Sequence, residues 1–414
     1  MKTARIVRGI FVLFMANVLL LLSGSAWAQT LTPIETLGKS IFFDDNLSIN
    51  QNQSCATCHG PTAGWTGPET YINESGAVYE GSIAGRFGNR KPPSSAYATS
   101  SPILHFMIKK KEALFIGGNF WDGRATGEKL GNPAADQAQG PFLNPLEQGL
   151  ATPVDVVERV CTAIYGNLFR DVWGAEACDE ANVDMAYNDI ALSIAAYEGS
   201  PEVNAFTSKY DYSFRGQTKL TKQEQLGFAL FRGKGKCHRC HISNGQQALF
   251  TDFTYDNLGV PRNPENPFYT EPANPDGFDW VDEGLGFFLA RRFDYASYAD
   301  ANMGKQKVPT LRNVGKGSCE AEPENPDCII KAYTHNGYFK SLKGTVHFYN
   351  TRDIKPECDD PFPTEAEALA QDCWPVPEIA ENVNIDELGD LGLTPEEEDA
   401  IVAFMMTFSD GFQP

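Results

Sequence analysis

The sequence predicts a mainly α-helical protein in which two related halves follow one another, with long loops and few short strands. Three observations predict it: a degenerate internal repeat, a set of helix-start signals, and a shortage of strand patterns. The repeat reads Glu35-x-Leu37-Gly38-x-x-Ile41-Phe42 in its first copy and Glu224-x-Leu226-Gly227-x-x-Leu230-Phe231 in its second. In each copy the leucine and the later aliphatic residue lie four apart, which places them on one face of a helix. Thr221 and Glu224 form a capping box that starts the second of these helices. Thr152 can cap a helix with Pro153 at its first position, running to about Tyr165. Val183 to Tyr197 carries apolar residues at helical spacing and stops at Gly199-Ser200-Pro201. Thr394-Pro395-Glu396-Glu397 opens a C-terminal helix to about Phe408. The stretch from Pro261 to Asp282 is rich in Pro, Asn and Asp and reads as a long surface loop. The boundary between the halves is expected near Phe206 to Leu220.

Each repeat helix leads into a C-x-x-C-H motif: Cys55-Ala56-Thr57-Cys58-His59 and Cys237-His238-Arg239-Cys240-His241. Two thiols at this spacing add across the two vinyl groups of one haem, and the adjacent histidine ligates iron. A zinc or redox C-x-x-C reading explains neither histidine. The motifs therefore predict two covalently bound haem c groups and two tandem cytochrome c-like haem domains. His238, between two cysteines, reads as a surface bystander. The remaining six of the ten cysteines fall into three local pairs, Cys161 with Cys178, Cys319 with Cys328 and Cys358 with Cys373. Short loops close most easily, so local disulfides are expected, although six cysteines allow about 15 pairings.

An oxidising compartment is also expected from the N-terminus. Lys2, Arg5 and Arg8 precede an apolar run from Ile10 to Leu22, and Ala26-Trp27-Ala28 is an A-x-A cleavage site. The run is short for an uncleaved membrane anchor. The expectation is a signal peptide over residues 1–28, a periplasmic location, and no membrane association after cleavage. The full chain of 414 residues carries a net charge of -20, which excludes nucleic-acid binding through bulk charge and suits a basic patch on a protein partner.

Further segments complete a resemblance. They are Phe120-Trp121-Asp122-Gly123-Arg124; Gln137-Ala138-Gln139-Gly140-Pro141 with Asn144-Pro145-Leu146-Glu147; Lys307-Val308-Pro309-Thr310-Leu311-Arg312-Asn313; and His335-Asn336-Gly337 with Val346-His347-Phe348-Tyr349-Asn350. With both haem motifs, in this order, they resemble the bacterial di-haem cytochrome c peroxidase and MauG family. Beyond the leader at 1–28, the resemblance implies a peroxidatic haem domain at 29–212 and an electron-transfer haem domain at 213–414. It implies His59 and His241 as iron ligands, with Glu147 and Gln137 beside the peroxide site and Trp121 between the haems. A carboxylate there can take a proton from bound peroxide and return it to the leaving oxygen. Without the resemblance, Glu147 and Gln137 read as solvated loop residues and Trp121 as a core aromatic. Arg312 is expected to pair with a haem propionate.

Two departures carry the functional expectation. Ordinary family peroxidases place a methionine fourteen residues after the histidine matching His335; here that place holds Tyr349, as in MauG-type proteins. Methionine favours ferrous iron, whereas an anionic phenolate favours oxidised states. Met303 is the rival ligand. Second, no histidine lies between Gly60 and Leu104, where many family peroxidases carry a switching histidine, and His105 reads as packed or surface. The first haem is therefore expected to be open. The family also carries a calcium ion, whose usual Asn ligand is replaced at or near Lys91, leaving calcium an open expectation. Three functions follow from these readings. The leading one uses hydrogen peroxide to form high-valent haem and oxidise a periplasmic protein partner. The second reduces peroxide with electrons from a small redox protein. The third is a non-enzymatic electron-transfer cytochrome.

Overall fold

The computed structural model describes residues 30–109 and 112–414, so the expected leader at 1–28 lies outside the described residues. The principal helices are α1 (Pro33–Phe42), α2 (Pro133–Ala138), α3 (Pro153–Thr162), α4 (Val183–Glu198), α5 (Lys222–Arg232), α6 (Gly284–Ala290), α7 (Leu342–Thr351) and α8 (Pro395–Met406). Two short antiparallel pairs accompany them, β1 (His105–Lys109) with β2 (Glu112–Ile116) and β3 (Tyr255–Asp256) with β4 (Gln306–Lys307). The protein is thus mainly helical with few strands, as expected. Among the described residues, no helix is long and apolar enough to cross a membrane.

Local chemistry sets the helix starts. Thr221 with Glu224 and Thr394 with Glu397 make the expected capping boxes, and Thr32 with Glu35 and Thr152 with Asp155 make two more. Helix α3 ends at Thr162, short of the expected Tyr165, because Ala163 turns extended and a new helix begins at Gly166. The three local cysteine pairs close as disulfides.

The repeated glycine is where each half is bolted together. A Cβ on Gly38 would lie 1.8 Å from the Ser193 carbonyl oxygen, and one on Gly227 would lie 1.8 Å from that of Ala400. Helix α1 therefore crosses α4, and α5 crosses α8, at backbone-to-backbone contact that only glycine permits. One apolar cluster, from Leu37 to Val203, gathers around the first crossing. A second, from Tyr210 to Phe408, gathers around the other. Both belong to one compact unit, Leu31–Pro414.

The segment from Pro261 to Asp282 corrects the surface-loop expectation. It is irregular, but Asn263, Asn266, Phe268, Tyr269, Glu271, Asn274 and Asp282 are buried. Its asparagines replace a regular ladder: Asn263 donates to Gly76 O and Asn336 O, and Asn266 donates to Asn89 O. The polar composition thus satisfies backbone inside the molecule rather than facing water.

Candidate active site

Both C-x-x-C-H motifs open onto one cavity, whose lining includes Cys55, Cys58, His59, Cys237, Cys240 and His241. These four cysteines are the ones left as free thiols. In each motif the histidine amide donates to the first cysteine's carbonyl, closing one turn of backbone. His59 Nδ1 lies 3.3 Å from Trp65 O, and His241 Nδ1 lies 2.8 Å from Phe250 O. Both carbonyls come from left-handed residues, with φ of 66° at Trp65 and 51° at Phe250. An Nδ1–H bound in this way leaves Nε2 with a lone pair for a metal. Burial pushes His59 down to about 4 and lowers His241 as well, favouring the neutral, ligating imidazole. Free paired thiols and pre-oriented histidines fit two haem c groups.

Gln137 on α2 and Glu147 line the same cavity, both half-buried, and the Glu147 charge acts on Cys58 of the first motif. Glu147 sits in a turn in which its amide donates to Asn144 O and the Leu146 amide to Asn144 Oδ1, at 3.0 Å each. Burial raises the Glu147 carboxyl, and Arg124 and Asn144 oppose that rise. Trp121 is buried in the cavity wall, and its indole donates to Lys91 O at 2.8 Å. The turn that follows is tight: Phe120 and Gly123 are left-handed, and a Cβ on Gly123 would lie 2.3 Å from the Tyr255 hydroxyl. Asp122 holds both Arg90 and Arg124, and Arg124 stacks over Phe120.

Beside the second motif, Tyr349 on α7 lines the cavity, and burial followed by Cys240 and Cys237 pushes its phenol up. The rival Met303 is turned elsewhere: its sulfur packs where a Cβ on Gly286 of α6 would sit. His105 is exposed on β1, with Nδ1 2.8 Å from Ile103 O. His238 pairs with the Ser243 hydroxyl. Arg312 also lines the cavity. It is fully buried, and the carboxylate it engages bidentately is Asp211, at 2.7 and 2.9 Å, while Nε donates to Ala248 O.

Three features went unnoticed in the sequence. Glu198 is buried at the cavity, its carboxyl is pushed up to about 8 by burial, and Oε2 has no hydrogen-bond partner among the described residues. Its signal was a charged residue on the stripe Ile190, Ile194, Glu198. Lys331 is buried and donates to the carbonyls of Ala63, Asn313 and Lys316. Glu378 bonds His335 Nε2 at 3.1 Å beside Trp121.

Comparison with known proteins supplies the family. The di-haem cytochrome c peroxidase family model matches residues 33–219. The methylamine utilization protein MauG of Paracoccus denitrificans is 32% identical, covering 96% of this chain and 94% of that protein. The chain belongs to the di-haem cytochrome c peroxidase and MauG family. The cytochrome c551 peroxidase of Nitrosomonas europaea is 29% identical over 67% of this chain and 65% of its own length. The diheme peroxidase BthA of Burkholderia thailandensis superposes with a TM-score of 0.73 at 27% identity, covering 92% of this chain and 87% of that one. Membership in this di-haem peroxidase family implies two haem c groups, for which the residues above are the candidate holders, and an oxidoreductase reaction.

Proposed function

We propose that the protein is a periplasmic di-haem oxidoreductase that uses hydrogen peroxide to form high-valent haem and oxidise a protein partner. The observation that carries this reading is Tyr349, half-buried at the cavity beside Cys237 and Cys240, with Met303 turned into α6. Bound haem supplies the iron that binds and reduces peroxide. His59 would hold the first iron, and His241 together with Tyr349 would hold the second. A phenolate oxygen stabilises an electron-poor metal, which suits a centre that stores an oxidising equivalent rather than one that must be reduced first. Glu147 takes the proton of bound peroxide and returns it to the departing oxygen, and Gln137 orients the peroxide. Trp121, fixed by its bond to Lys91 O, carries charge between the centres.

The reading assigns peroxide chemistry to residues 29–212 and electron transfer to 213–414. Calcium is no part of it. Lys91 is buried and donates to Thr66 Oγ1 and Pro92 O at 2.9 Å. Burial lowers both Lys91 and Lys331 to about 7.

The test is to mix the all-ferric holoprotein with hydrogen peroxide under stopped flow. A rapid two-electron oxidation without prior reduction is expected, and Trp121→Phe should slow the spread of oxidation to the second haem. A reaction that begins only after half-reduction points to a scavenging peroxidase fed by a small redox protein. An unchanged spectrum points to an electron carrier.

A further inference from the structure

The two halves are built on the same crossing, so their cores can be compared residue by residue. Gly38 meets Ser193 and the Cβ of Tyr197; Gly227 meets Ala400 and the Cβ of Phe404. Tyr197 and Phe404 therefore hold equivalent places, as do Phe42 and Phe231, four residues beyond each glycine. Trp65 and Phe250 are equivalent too, since each is left-handed and offers its carbonyl to the iron-ligating histidine of its half. The second half thus packs Phe231 edge to face with both Phe250 and Phe404, and none of these oxidises readily. The first half places Phe42, Trp65 and Tyr197 in mutual contact, with ring centroids 5.6 to 5.9 Å apart. At these three matched places oxidisable rings stand in the first half alone; the tyrosine beside the second set, Tyr210, packs on Phe250 and Phe404 but donates its hydroxyl to the Ser243 carbonyl, with no carboxylate to take the proton.

The tyrosine is also equipped to lose its proton. Its hydroxyl donates to Glu202 Oε1 at 3.1 Å, and Glu202 is partly exposed and paired with Lys39. Burial, followed by Glu202, raises the Tyr197 phenol, so it rests protonated. Lys39 Nζ lies 5.9 Å from the ring centroid, which penalises a cationic ring. An electron can therefore leave Tyr197 at low cost only if the phenolic proton leaves with it, and Glu202 is placed to take it. Beyond the tyrosine, the Phe43 ring lies 6.2 Å away and is 41% exposed. Phe404 has no carboxylate on its ring and no use for one.

We propose that Trp65 and Tyr197 form a second electron port, running from the first haem to the surface around Phe43 and Lys39, for small one-electron donors such as phenols. The port rests on the proposed peroxide chemistry, which supplies the oxidant. Trp65 gives one electron to the peroxide-oxidised haem and is refilled by Tyr197, whose phenolic O–H proton moves to Glu202. The haem gains one electron, and Tyr197 becomes a neutral phenoxyl radical. A phenol at the surface then returns a hydrogen atom's worth of electron and proton, and Glu202 releases the proton it holds.

Rapid freeze-quench electron paramagnetic resonance of the holoprotein after peroxide tests the port, with haem oxidation followed optically in parallel. A tyrosyl radical is expected in the wild type and should be lost in Tyr197→Phe, while haem oxidation proceeds in both. Trp65→Phe should delay the radical, and Glu202→Gln should cut its yield. Guaiacol oxidation should fall in the same variants. Both aromatic substitutions copy the residues of the second half, so the fold tolerates them. A radical that survives Tyr197→Phe, or a haem that reacts without forming one, overturns the port and leaves the peroxide reading standing. A haem that ignores peroxide removes both.

Discussion

Asp211→Asn removes the charge that Arg312 engages while keeping the side chain's shape. Both side chains are completely buried. The guanidinium donates twice to Asp211, once to Ala248 O and once to Ser208 Oγ. With asparagine in place, one oxygen becomes an amide donor facing another donor, and a full positive charge stays buried without its counter-charge. Orphaning a buried ion costs about 3–5 kcal/mol. Asp211 also accepts from the Ser208 amide and hydroxyl as the far end of a capping box, whose loss adds about 1 kcal/mol. The substitution should therefore destabilise by about 4–6 kcal/mol. Urea unfolding of the holoprotein measures it, read from the midpoint at constant slope. The paired change Asp211→Leu with Arg312→Met should recover most of the loss, because a buried pair replaced by apolar residues is often neutral. Since Arg312 also holds Ala248, two residues from the carbonyl that orients His241, the second haem's spectrum should shift in the single variant. A loss below about 1 kcal/mol with an unchanged spectrum would refute the argument, because no buried charge could then have been orphaned.

Two further outcomes concern the site. Glu147→Gln should slow the reaction with peroxide by about 10²–10⁴-fold. The wild-type rate should climb with pH through a midpoint above the usual glutamate range, because only the ionised carboxyl accepts a proton and burial raises it; stopped-flow rates that keep this profile in the variant would exclude Glu147. Tyr349→Met should raise the potential of the second haem by on the order of 0.1 V, within the span of about 0.8 V that axial ligands command. Spectroelectrochemistry reads this shift, and an unmoved potential means that Tyr349 does not hold the metal.

What was legible in the sequence was local. A threonine three residues before a glutamate caps a helix wherever the chain later goes, so α5 and α8 start where expected. The haem motifs are equally local, since thiol and imidazole spacing is dictated by the ligand. Pairings across the chain were not legible. Arg312 could be matched to some carboxylate, but only the fold brings Asp211 to it. The Asn-rich segment after Pro261 has the composition of a solvated loop, and nothing local says that its amides will bind Gly76 and Asn336. Glu198 was readable in principle, as an acid on an inward stripe. The contrast between Trp65–Tyr197 and Phe250–Phe404 needed the two halves aligned through their glycine crossings.

Those crossings bear on how the chain assembles. In each half the opening helix cannot be seated until the closing helix has been made, because Gly38 waits for Ser193 and Gly227 for Ala400. Each half is therefore a clasp whose two ends meet, enclosing everything between them. Attachment of the prosthetic group to cysteines just downstream of the first strap can occur while the clasp is open and be sealed in when it shuts. An alanine at either glycine would hold the clasp ajar, with the same sequence and chemistry inside but no closed wall around them.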